Sequence, residues 1–439
     1  MTHFGVISPP VSGHLNPTMA LGRELQQRGH RITFFHMPDI EAKILGEGLE
    51  FWAIGESDHP RGSLPESIAK LGQLSGLAAL RFSLSAIQRT TNMFCRDGLS
   101  ALKQAGVEAL LVDQTEPAGG TLAEFLGLPF ITICCALTIN REAAIPPIFT
   151  SWSYHSARWA RQRNQAGYFL FERITRPIRA VVVEYRQRWH LPNHRTPDDS
   201  FSQLAQISQQ PPEFDFPRTA LPQCFHYTGP FRYPSLQAVR FPYERLTGQP
   251  IIYASLGTLQ NTKAELFHQI AAACAGLEAQ LVISHGGGMS ASAIQTLPGS
   301  PLVVDYAPQL ELLARANLTI THAGLNTVLD SLSNGVPMVA IPITYEQPAI
   351  AARILWTNTG EVISLQSLTV PKLRALVQQL LTTDTYTSNA QKLKASMQQA
   401  GGVKRAADII EQVITTGYPV STNWQQGWNT PKKNPPTLA

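Results

Sequence analysis

Residues 321–337, THAGLNTVLDSLSNGVP, combine a histidine, a glycine and polar side chains at the predicted start of a helix. An apolar strand is predicted to end at His322, Gly324 lets the backbone turn tightly, and a helix follows. The unpaired N–H groups of a helix start, with the positive end of its dipole, bind anions. Asn326 and Thr327 add side-chain donors, and His322 is close enough to touch the same phosphate. The pattern predicts a phosphate site, although a plain strand–helix turn with capping residues is the alternative.

Two further features extend this predicted site. Asp330 is a lone carboxylate among apolar and small residues, placed to accept hydrogen bonds from a ribose. Ser255, Gly257 and Thr258 lie where the strand of YASLGTLQN ends, so their donors are expected to face the phosphates from the other side. A plain strand–turn is the alternative there. The Gly-rich SHGGG at 284–288 lacks the spacing of a dinucleotide fingerprint, and we interpret it as a turn.

A histidine and an aspartate in the first half form a candidate catalytic pair. His14 lies in PPVSGHLNP, the predicted loop between the first strand and the first helix, and Asp113 ends the strand ALLVD. The carboxyl ends of parallel strands face one crevice. A hydroxyl nucleophile has a high pKa and needs a base in the transition state, and a neutral imidazole oriented by a carboxylate can supply one.

Short apolar runs alternate with helical periodicity in both halves of the chain. This alternation predicts an α/β architecture of two doubly wound domains, with parallel sheets and a ligand cleft between the domains. The first helix is predicted over 17–28, with Asn16 as its cap. The predicted units are a first domain at 1–230, a linker at 231–249, a second domain at 250–417 and a mobile polar tail at 418–439.

Composition disfavours several function classes. A net charge of +4 spread over 439 residues argues against a nucleic-acid partner, which usually requires a concentrated basic stripe. The five cysteines form no CxxC pair and show no metal-ligand spacing, so reduced thiols in a cytoplasmic protein are expected, and no metal. No signal peptide is predicted, and no apolar stretch approaches the roughly 18 residues that span a bilayer. Any membrane contact is therefore expected to be peripheral, at the inner face.

From Val304 onward the chain resembles the donor-binding signature of the UDP-glycosyltransferase family. That signature has an aromatic residue followed by x-P-Q, then H-x-G-x-N-[ST], an acidic residue, and an acidic residue followed by Gln. The matching residues are Tyr306, Pro308, Gln309, His322, Gly324, Asn326, Thr327, Asp330, Glu346 and Gln347. The resemblance implies the GT-B fold, in which two Rossmann-like domains face each other across a cleft. The implied donor site also includes Ser255, Gly257, Thr258 and Ala307.

The same resemblance implies a role for each residue of the signature. It implies that Tyr306 contacts uracil and that Gln309 and Asp330 contact the ribose. His322, Asn326 and Thr327 are implied to bind the diphosphate. Glu346 and Gln347 are implied to bind the sugar hydroxyls. Tyr306 stands where plant members commonly have Trp, and Asp330 is shorter than the usual Glu, but stacking and ribose contact survive both changes. Gln347 resembles the glucosyl-transferring members more than the galactosyl-transferring ones.

The resemblance also implies a mechanism, because the family places its base at the position of His14 and its acidic partner after the strand that ends at Asp113. A single inverting displacement is implied, in which His14 deprotonates the acceptor and the acceptor oxygen attacks carbon 1 of the sugar. Helix N–H groups and His322 then neutralise the leaving UDP, so no metal and no other cofactor is expected. No convincing Asp-x-Asp stands at a strand end, and Glu213-Phe214-Asp215 falls in a Pro-rich loop.

Further stretches resemble the carotenoid-modifying branch of the family, which places glucose from UDP-glucose on the ring hydroxyls of zeaxanthin, once at each end. They are SDHPRGSLPESI (57–68), LLVDQTEPAG (110–119), CALTINRE (135–142), the segment 204–230 and AADIIEQVITTGYPV (406–420). A carotenoid is about as long as a bilayer's apolar core, roughly 30 Å, so it is expected to stay in the membrane while one end reaches the enzyme. Residues 152–189, rich in aromatic residues and arginine, could guide it from an anionic lipid surface, or form solvated helices with an aromatic core face.

Two alternatives stay open from the sequence. The acceptor could instead be a flavonoid, a macrolide or a sterol, since acceptor choice lies in the variable first half. The chain could also be a catalytically silent sugar-nucleotide-binding partner protein, although the intact His14 and Asp113 argue against this. A nucleotide-dependent dehydrogenase is disfavoured, because no glycine fingerprint follows the first strand.

Overall fold

The first half of the chain forms a seven-stranded parallel sheet. A computed structural model describes residues 1–74, 76–234, 236, 239–257 and 263–422. The strands of this sheet are β1 (His3–Ile7), β2 (Arg31–His36), β3 (Glu50–Ala53), β4 (Ala109–Asp113), β5 (Phe130–Cys134), β6 (Gln206–Ser208) and β7 (Phe225–Tyr227). They lie in the order β3-β2-β1-β4-β5-β6-β7. The central strands are almost continuously apolar and buried, as expected where helices cover both faces of a parallel sheet.

Helices of the described chain surround this first sheet. They are α1 (Ser12–Gln27), α2 (Glu41–Gly46), α3 (Ser63–Gln73), α4 (Gly76–Met93), α5 (Leu99–Ala105), α6 (Pro117–Leu126) and α7 (Arg158–Arg188). The prediction for the start of the first helix was wrong: α1 begins at Ser12, Asn16 lies inside it, and Pro17 falls in its second turn. Pro17 is tolerated there because it removes only the N–H that would otherwise bond the carbonyl of Gly13.

The second half repeats the architecture with a six-stranded parallel sheet. Its strands are β8 (Ile251–Ser255), β9 (Gln280–Ser284), β10 (Leu302–Val304), β11 (Ala316–Thr321), β12 (Met338–Ala340) and β13 (Gly360–Val362), in the order β10-β9-β8-β11-β12-β13. Its helices are α8 (Ala264–Cys274), α9 (Ala291–Gln295), α10 (Gln309–Leu313), α11 (Leu325–Ser333), α12 (Gln347–Trp356), α13 (Val370–Thr382), α14 (Asp384–Ala400) and α15 (Gly402–Thr416). The predicted α/β fold of two doubly wound domains is therefore confirmed.

In each sheet the strand order reverses between two central neighbours. β1 lies beside β4, with Ile7 opposite Val112, and β8 lies beside β11, with Ser255 opposite Thr321. The segments that leave neighbouring strands at such a reversal turn towards opposite faces of the sheet and open a crevice at the carboxyl edge. The predicted catalytic pair and the predicted phosphate site lie at these two crevices.

The end of the described chain returns to the first domain. Helix α15 packs against α1, and its side chains Ala406, Ile410 and Val413 are buried in the same apolar cluster as Leu21 and Leu25 of α1. The prediction that 250–417 forms one second domain was therefore wrong for 402–416, whose apolar face completes the first core.

The first residues of the predicted polar tail are also packed against the first domain. Val420 is buried, its N–H donates to the Leu204 carbonyl (3.0 Å), and its carbonyl is 3.0 Å from His226 Nε2. The N–H of Thr422 donates to the Gln223 carbonyl (2.9 Å). Residues 420–422 thus make backbone hydrogen bonds to the first domain, and 423–439 lie outside the described residues.

Candidate active site

The predicted catalytic pair is formed in the structure. His14 lies in the first turn of α1 rather than in the preceding loop, because α1 begins at Ser12. Its Nδ1 atom is 2.8 Å from Oδ2 of Asp113, the last residue of the neighbouring strand β4. Asp113 is buried and His14 is partly buried. The adjacency of β1 and β4 therefore brings together two residues that are 99 positions apart.

Electrostatics fix the role of each nitrogen of His14. Burial opposes the charged form of both partners, but each stabilises the charge of the other. As a result the pKa of His14 is raised, because the Asp113 carboxylate outweighs burial. Burial opposes ionisation of Asp113, but His14 and the hydrogen bonds from Thr115 outweigh it and lower the pKa of this carboxyl. An ionised carboxylate only accepts hydrogen bonds, so Nδ1 carries the proton and Nε2 is left to act as a base.

A second carboxyl group, Glu116, lies beside this pair and was missed by the sequence reasoning. Burial and the nearby charge of Asp113 raise the pKa of Glu116 to about 8. Its Oε2 atom is buried and has no hydrogen-bond partner among the described residues. The signal in the sequence was its place three residues after Asp113, in the short loop that begins α6. The surroundings of Glu116 therefore favour its neutral, protonated form.

The predicted phosphate site lies at the start of α11, and glycine has a different role there from the predicted one. The positive φ of the turn is at Ala323 (63°), whereas Gly324 has an ordinary φ of −68°. A Cβ atom on Gly324 would lie 2.5 Å from Nε2 of His322, and one on Gly257 would lie 2.7 Å from Cε1 of the same ring. The His322 imidazole is thus held between two glycine backbones, which explains both glycines by close approach.

His322 itself is neutral in this environment. Burial lowers the pKa of His322 to about 4, and its Nδ1 atom is buried with no hydrogen-bond partner in the part of the chain that the structure describes. The expectation that His322 neutralises a leaving diphosphate needs correction in one respect. The ring can contribute a hydrogen bond to a phosphate, but its lowered pKa leaves it uncharged at neutral pH.

Asn326, a predicted phosphate ligand, bridges the two domains. Its Nδ2 atom donates to the Gly13 carbonyl (2.8 Å), and its Oδ1 atom accepts from Nε2 of Gln209 (3.0 Å). The Gly13 carbonyl lacks its usual helical partner because that partner would be Pro17, which has no N–H. Thr327 is buried in the same first turn of α11. A phosphate bound by the Asn326 side chain would replace these interdomain bonds.

The two predicted ribose ligands are in contact with each other. Gln309 Nε2 donates to Oδ2 of Asp330 (2.6 Å), and Gln309 Oε1 accepts from the hydroxyl of Tyr253 (3.2 Å). Asp330 is not the lone carboxylate that the sequence indicated, because Arg232 donates from Nε to its Oδ1. Arg232 comes from the predicted linker, and nothing in the local sequence pattern pointed to it.

The remaining nucleotide-side residues border the same crevice. Tyr306 has 56% of its surface exposed, and its hydroxyl donates to the Gly286 carbonyl (3.2 Å), so one aromatic ring is open to a ligand. Ala307 packs on the apolar cluster under β8 and β9. Ser255 is buried at the end of β8, and its Oγ accepts from the N–H of Gly257 (3.3 Å). Thr258 lies outside the described residues.

At the start of α12, Glu346 contacts the first domain and Gln347 binds the turn that precedes the helix. Glu346 Oε2 accepts from the N–H of Leu137 (3.1 Å), and burial raises the pKa of this carboxyl. Gln347 Oε1 accepts from the N–H groups of Ile343 (2.8 Å) and Thr344 (2.9 Å), which fixes the turn before α12. The charge of Glu346 contributes to the raised pKa of His14.

Metal-binding clusters and membrane-spanning helices are both missing from the described residues. Within that part of the chain, no group of three or more His, Cys, Asp or Glu side chains is placed to hold a metal ion. Over the same residues, every helix is too short or too polar to cross a bilayer.

Comparison with known proteins agrees with this arrangement. Residues 83–400 match the family model "UDP-glucoronosyl and UDP-glucosyl transferase". The chain is 39% identical over 425 residues to a zeaxanthin glucosyltransferase of Pantoea ananas, covering 96% of this chain and 98% of that protein. It is 37% identical over 426 residues to a zeaxanthin glucosyltransferase of Pseudescherichia vulneris, covering 96% and 100%.

Solved structures support the fold at lower sequence identity. A glycotransferase of kitacinnamycin superposes with a TM-score of 0.73 at 22% identity, covering 94% of this chain and 98% of that one. The calicheamicin glycosyltransferase CalG4 superposes with a TM-score of 0.72 at 21% identity, covering 95% and 100%. These neighbours confirm the expected GT-B fold. With its matched model, its two relatives and its two facing domains, the chain belongs to the UDP-glucoronosyl and UDP-glucosyl transferase family.

Proposed function

We propose that this transferase moves glucose from UDP-glucose to the ring hydroxyls of zeaxanthin, giving the monoglucoside and then the diglucoside with inverted, β configuration. The acceptor is supported by the two relatives named for zeaxanthin, which match almost the whole chain. The observation that carries the chemistry is the His14–Asp113 pair at 2.8 Å, and the charge of Glu346 in the other domain also raises the pKa of His14. A base on one side of a cleft and a sugar-nucleotide site on the other are what direct transfer requires.

The reaction is a single displacement. Nε2 of His14 takes the proton of the acceptor hydroxyl while the hydroxyl oxygen forms a bond to carbon 1 of glucose. The bond between carbon 1 and the diphosphate oxygen breaks on the opposite side, and UDP leaves with the electron pair. Asp113 stabilises the imidazolium that forms. The amide groups at the start of α11 and a hydrogen bond from His322 bind the departing diphosphate, which supports transfer without a divalent metal.

Donor binding is proposed to replace contacts that the structure makes within the protein. Asp330 exchanges its hydrogen bond with Gln309 for the ribose hydroxyls, and Tyr306 stacks on uracil through its exposed ring. Glu346 and Gln347, at the start of α12, bind the hydroxyls of glucose. Each exchange keeps a buried polar group satisfied, so the cost of breaking the existing bond is largely offset.

For the acceptor we propose a peripheral membrane contact, made on the cytoplasmic face by α4 and α7. These helices pack together and leave apolar side chains exposed, namely Leu77 (71%), Trp159 (55%) and Phe169 (58%). Exposed arginines such as Arg158 and Arg173 lie on α7 beside them. Apolar side chains flanked by cations bind anionic lipid surfaces.

Only part of the aromatic segment 152–189 is available for such a contact. Phe171 stacks on Phe149 with ring centroids 4.9 Å apart, and the Tyr168 hydroxyl donates to the Ile145 carbonyl (3.1 Å). These rings form the core-facing side of α7, as the alternative interpretation of the sequence expected. The membrane proposal therefore depends on the outward-facing residues alone.

A product assay with His14→Ala tests the chemistry. The variant is expected to lower kcat by about 10²- to 10⁴-fold, the usual contribution of a general base, while UDP affinity by calorimetry stays near that of the wild type. His268→Ala, at an exposed histidine of α8, is the matched control and should keep full activity. Near-normal turnover of His14→Ala would exclude His14 as the base. Turnover of a flavonoid, macrolide or sterol but not of zeaxanthin by the wild type would reject the acceptor.

Flotation with liposomes tests the membrane contact. The wild type is expected to float with anionic vesicles, and Trp159→Ser with Phe169→Ser should reduce the bound fraction. Leu365→Ser, at an exposed apolar residue of the second domain, is the control and should bind like the wild type. If the wild type fails to bind anionic vesicles, the membrane part of the proposal is wrong and the transferase chemistry is unaffected.

A further inference from the structure

One segment of the first domain enters the second domain. We call residues 209–218, which follow β6, the bridging segment. Its Phe214 is fully buried in an apolar cluster formed mainly by second-domain residues, including Leu325 and Met338. Phe216 packs edge-on against Trp356 of α12, with ring centroids 5.8 Å apart. The bridging segment thus joins the two domains through apolar contacts.

Between these two rings lies a buried ion cluster that crosses the domain boundary. Asp215 Oδ1 accepts from Nε (3.0 Å) and Nη2 (2.7 Å) of Arg353 in α12. Its Oδ2 accepts from Nε of Arg218 (2.6 Å) and from the hydroxyl of Tyr227 (3.0 Å). The three charged side chains are almost completely shielded from solvent. The two arginines lower the pKa of Asp215 to about 2 although its burial acts in the opposite direction.

The cluster is connected to Glu346 of the candidate active site through the 137–140 loop and through α12. Arg218 donates from Nη1 to the Asn140 carbonyl and from Nη2 to the Thr138 carbonyl, both at 2.8 Å. The neighbouring Leu137 donates its N–H to Glu346, at the start of the helix that carries Arg353. These contacts therefore form a closed circuit. It runs from Arg353 through Asp215, Arg218 and the 137–140 loop to Glu346, and α12 connects Glu346 with Arg353. The circuit holds the start of α12 against the first domain.

Stability alone is a poor explanation for this cluster. A buried ion pair is often no more stabilising than well-packed apolar residues of the same volume, because desolvation offsets the attraction. The charged groups instead fix the orientation of the Arg353 side chain. Arg353 also donates from Nη1 to the Ala349 carbonyl (3.1 Å), and its guanidinium lies 4.3 Å from the Phe216 ring centroid, so its orientation is fixed on every side.

We infer that Arg353, held by Asp215, to which Arg218 also binds, is a positioning residue that sets how far the sugar-binding start of α12 lies from His14. The inference rests on the proposed function for its kinetic consequence. Arg353 is not among the residues proposed to contact donor or acceptor. It acts through α12, and a displacement of about 1 Å between reacting groups is enough to lower turnover by about 10²-fold.

Three variants separate positioning from mere folding. Arg353→Met removes the interdomain link but leaves Asp215 paired with Arg218. It is expected to lower kcat per folded molecule by about 10- to 100-fold, with little change in the Kd for UDP. Arg353→Lys keeps the charge and should recover part of kcat.

Arg186→Met is the matched control, because Arg186 is equally buried and its polar contacts, with Thr121, Glu124 and Pro192, lie within the first domain. It should lower the thermal midpoint without lowering kcat per folded molecule.

A distance measurement tests the inference independently of catalysis. Spin labels on Ser100→Cys in α5 and Lys372→Cys in α13 report the separation of the domains, since the five native cysteines are buried. Arg353→Met should broaden or shift the distance distribution, whereas Arg186→Met should leave it unchanged. If the wild type transfers no glucose to zeaxanthin, the proposed function fails while the distances still test the circuit. Wild-type kcat together with an unchanged distribution in Arg353→Met would overturn the inference, and if Arg353→Met does not fold, the same comparison is made with Arg353→Lys.

Discussion

Replacement of Asp113 by asparagine is the most direct test of the catalytic pair, because it alters charge and proton position with little change of shape. Asp113 Oδ1 accepts from both the N–H (2.9 Å) and the hydroxyl (2.6 Å) of Thr115. In Asp113→Asn the amide oxygen should keep this place, which turns the new NH₂ group towards Nδ1 of His14. Nδ1 must then accept a hydrogen bond, so the ring proton moves to Nε2. The nitrogen that should receive the acceptor's proton is thereby blocked.

The size of the effect follows from two losses, the wrong tautomer and the missing charge beside the imidazolium. A wrong-tautomer substitution of this type lowers kcat by about 10⁴-fold in a comparable histidine–aspartate pair, which corresponds to about 5 kcal/mol. We expect about 10³- to 10⁴-fold here, because His14 is partly exposed and water can compensate in part. Initial rates of glucoside formation from UDP-glucose at pH 7 measure it, with UDP affinity as the check on folding.

The matched control is Glu116→Gln, the same carboxyl-to-amide change in the same loop. The pKa of Glu116 is about 8, so at pH 7 this substitution replaces a neutral group by another neutral group. Its kcat should stay within about threefold of the wild type, since no charge is lost. A kcat for Asp113→Asn within tenfold of the wild type would show that Asp113 does not orient the base.

Three further predictions concern pH and the donor site. The base must be neutral, and Asp113 raises the pKa of His14. We therefore expect kcat/KM to fall at acid pH with a pKa above the ordinary 6.5 of histidine, and Asp113→Asn to move this fall to lower pH. An unchanged pH profile would contradict the coupling between His14 and Asp113. Gly324→Ala should displace the His322 ring and weaken UDP binding by about 1–3 kcal/mol in calorimetry; unchanged affinity would remove His322 from the site. Asp330→Asn should raise KM for UDP-glucose by about tenfold or more with kcat nearly unchanged, and an effect on kcat alone would argue against a ribose contact.

The parts of the fold and site that could be predicted are those whose signal is local. Each strand is a short apolar run, and the carboxyl end of a parallel strand must face a crevice, so Asp113 and His322 could be assigned to crevices from their positions alone. The family signature implied that Gln309 and Asp330 both serve the ribose, but not that they contact each other, as they do in the structure. What the signature did not show is that Asn326 and Asp330 also contact groups of the protein itself.

The features that escaped prediction are non-local or depend on exceptions to local rules. Arg232 and Arg353 meet carboxylates that are 98 and 138 positions away, and no periodicity in one sequence encodes such pairs. The start of α1 was misplaced because Pro17 has the usual character of a first-turn residue, whereas here it sits deeper in the helix. The polar character of the tail concealed Val420, which is buried.

The return of the chain to its starting domain has a consequence for engineering. Arg28, the residue that follows α1, pairs with Asp408 and Glu411 of α15, each at 2.7 Å, in addition to the apolar contacts between the two helices. A chimaera that exchanges the amino-terminal halves of two proteins by a single crossover in the linker would therefore pack α1 of one protein against α15 of the other. Two crossovers, the second near Gly401, would transplant 402–422 along with the amino-terminal half, and hybrids built in that way should keep their native core.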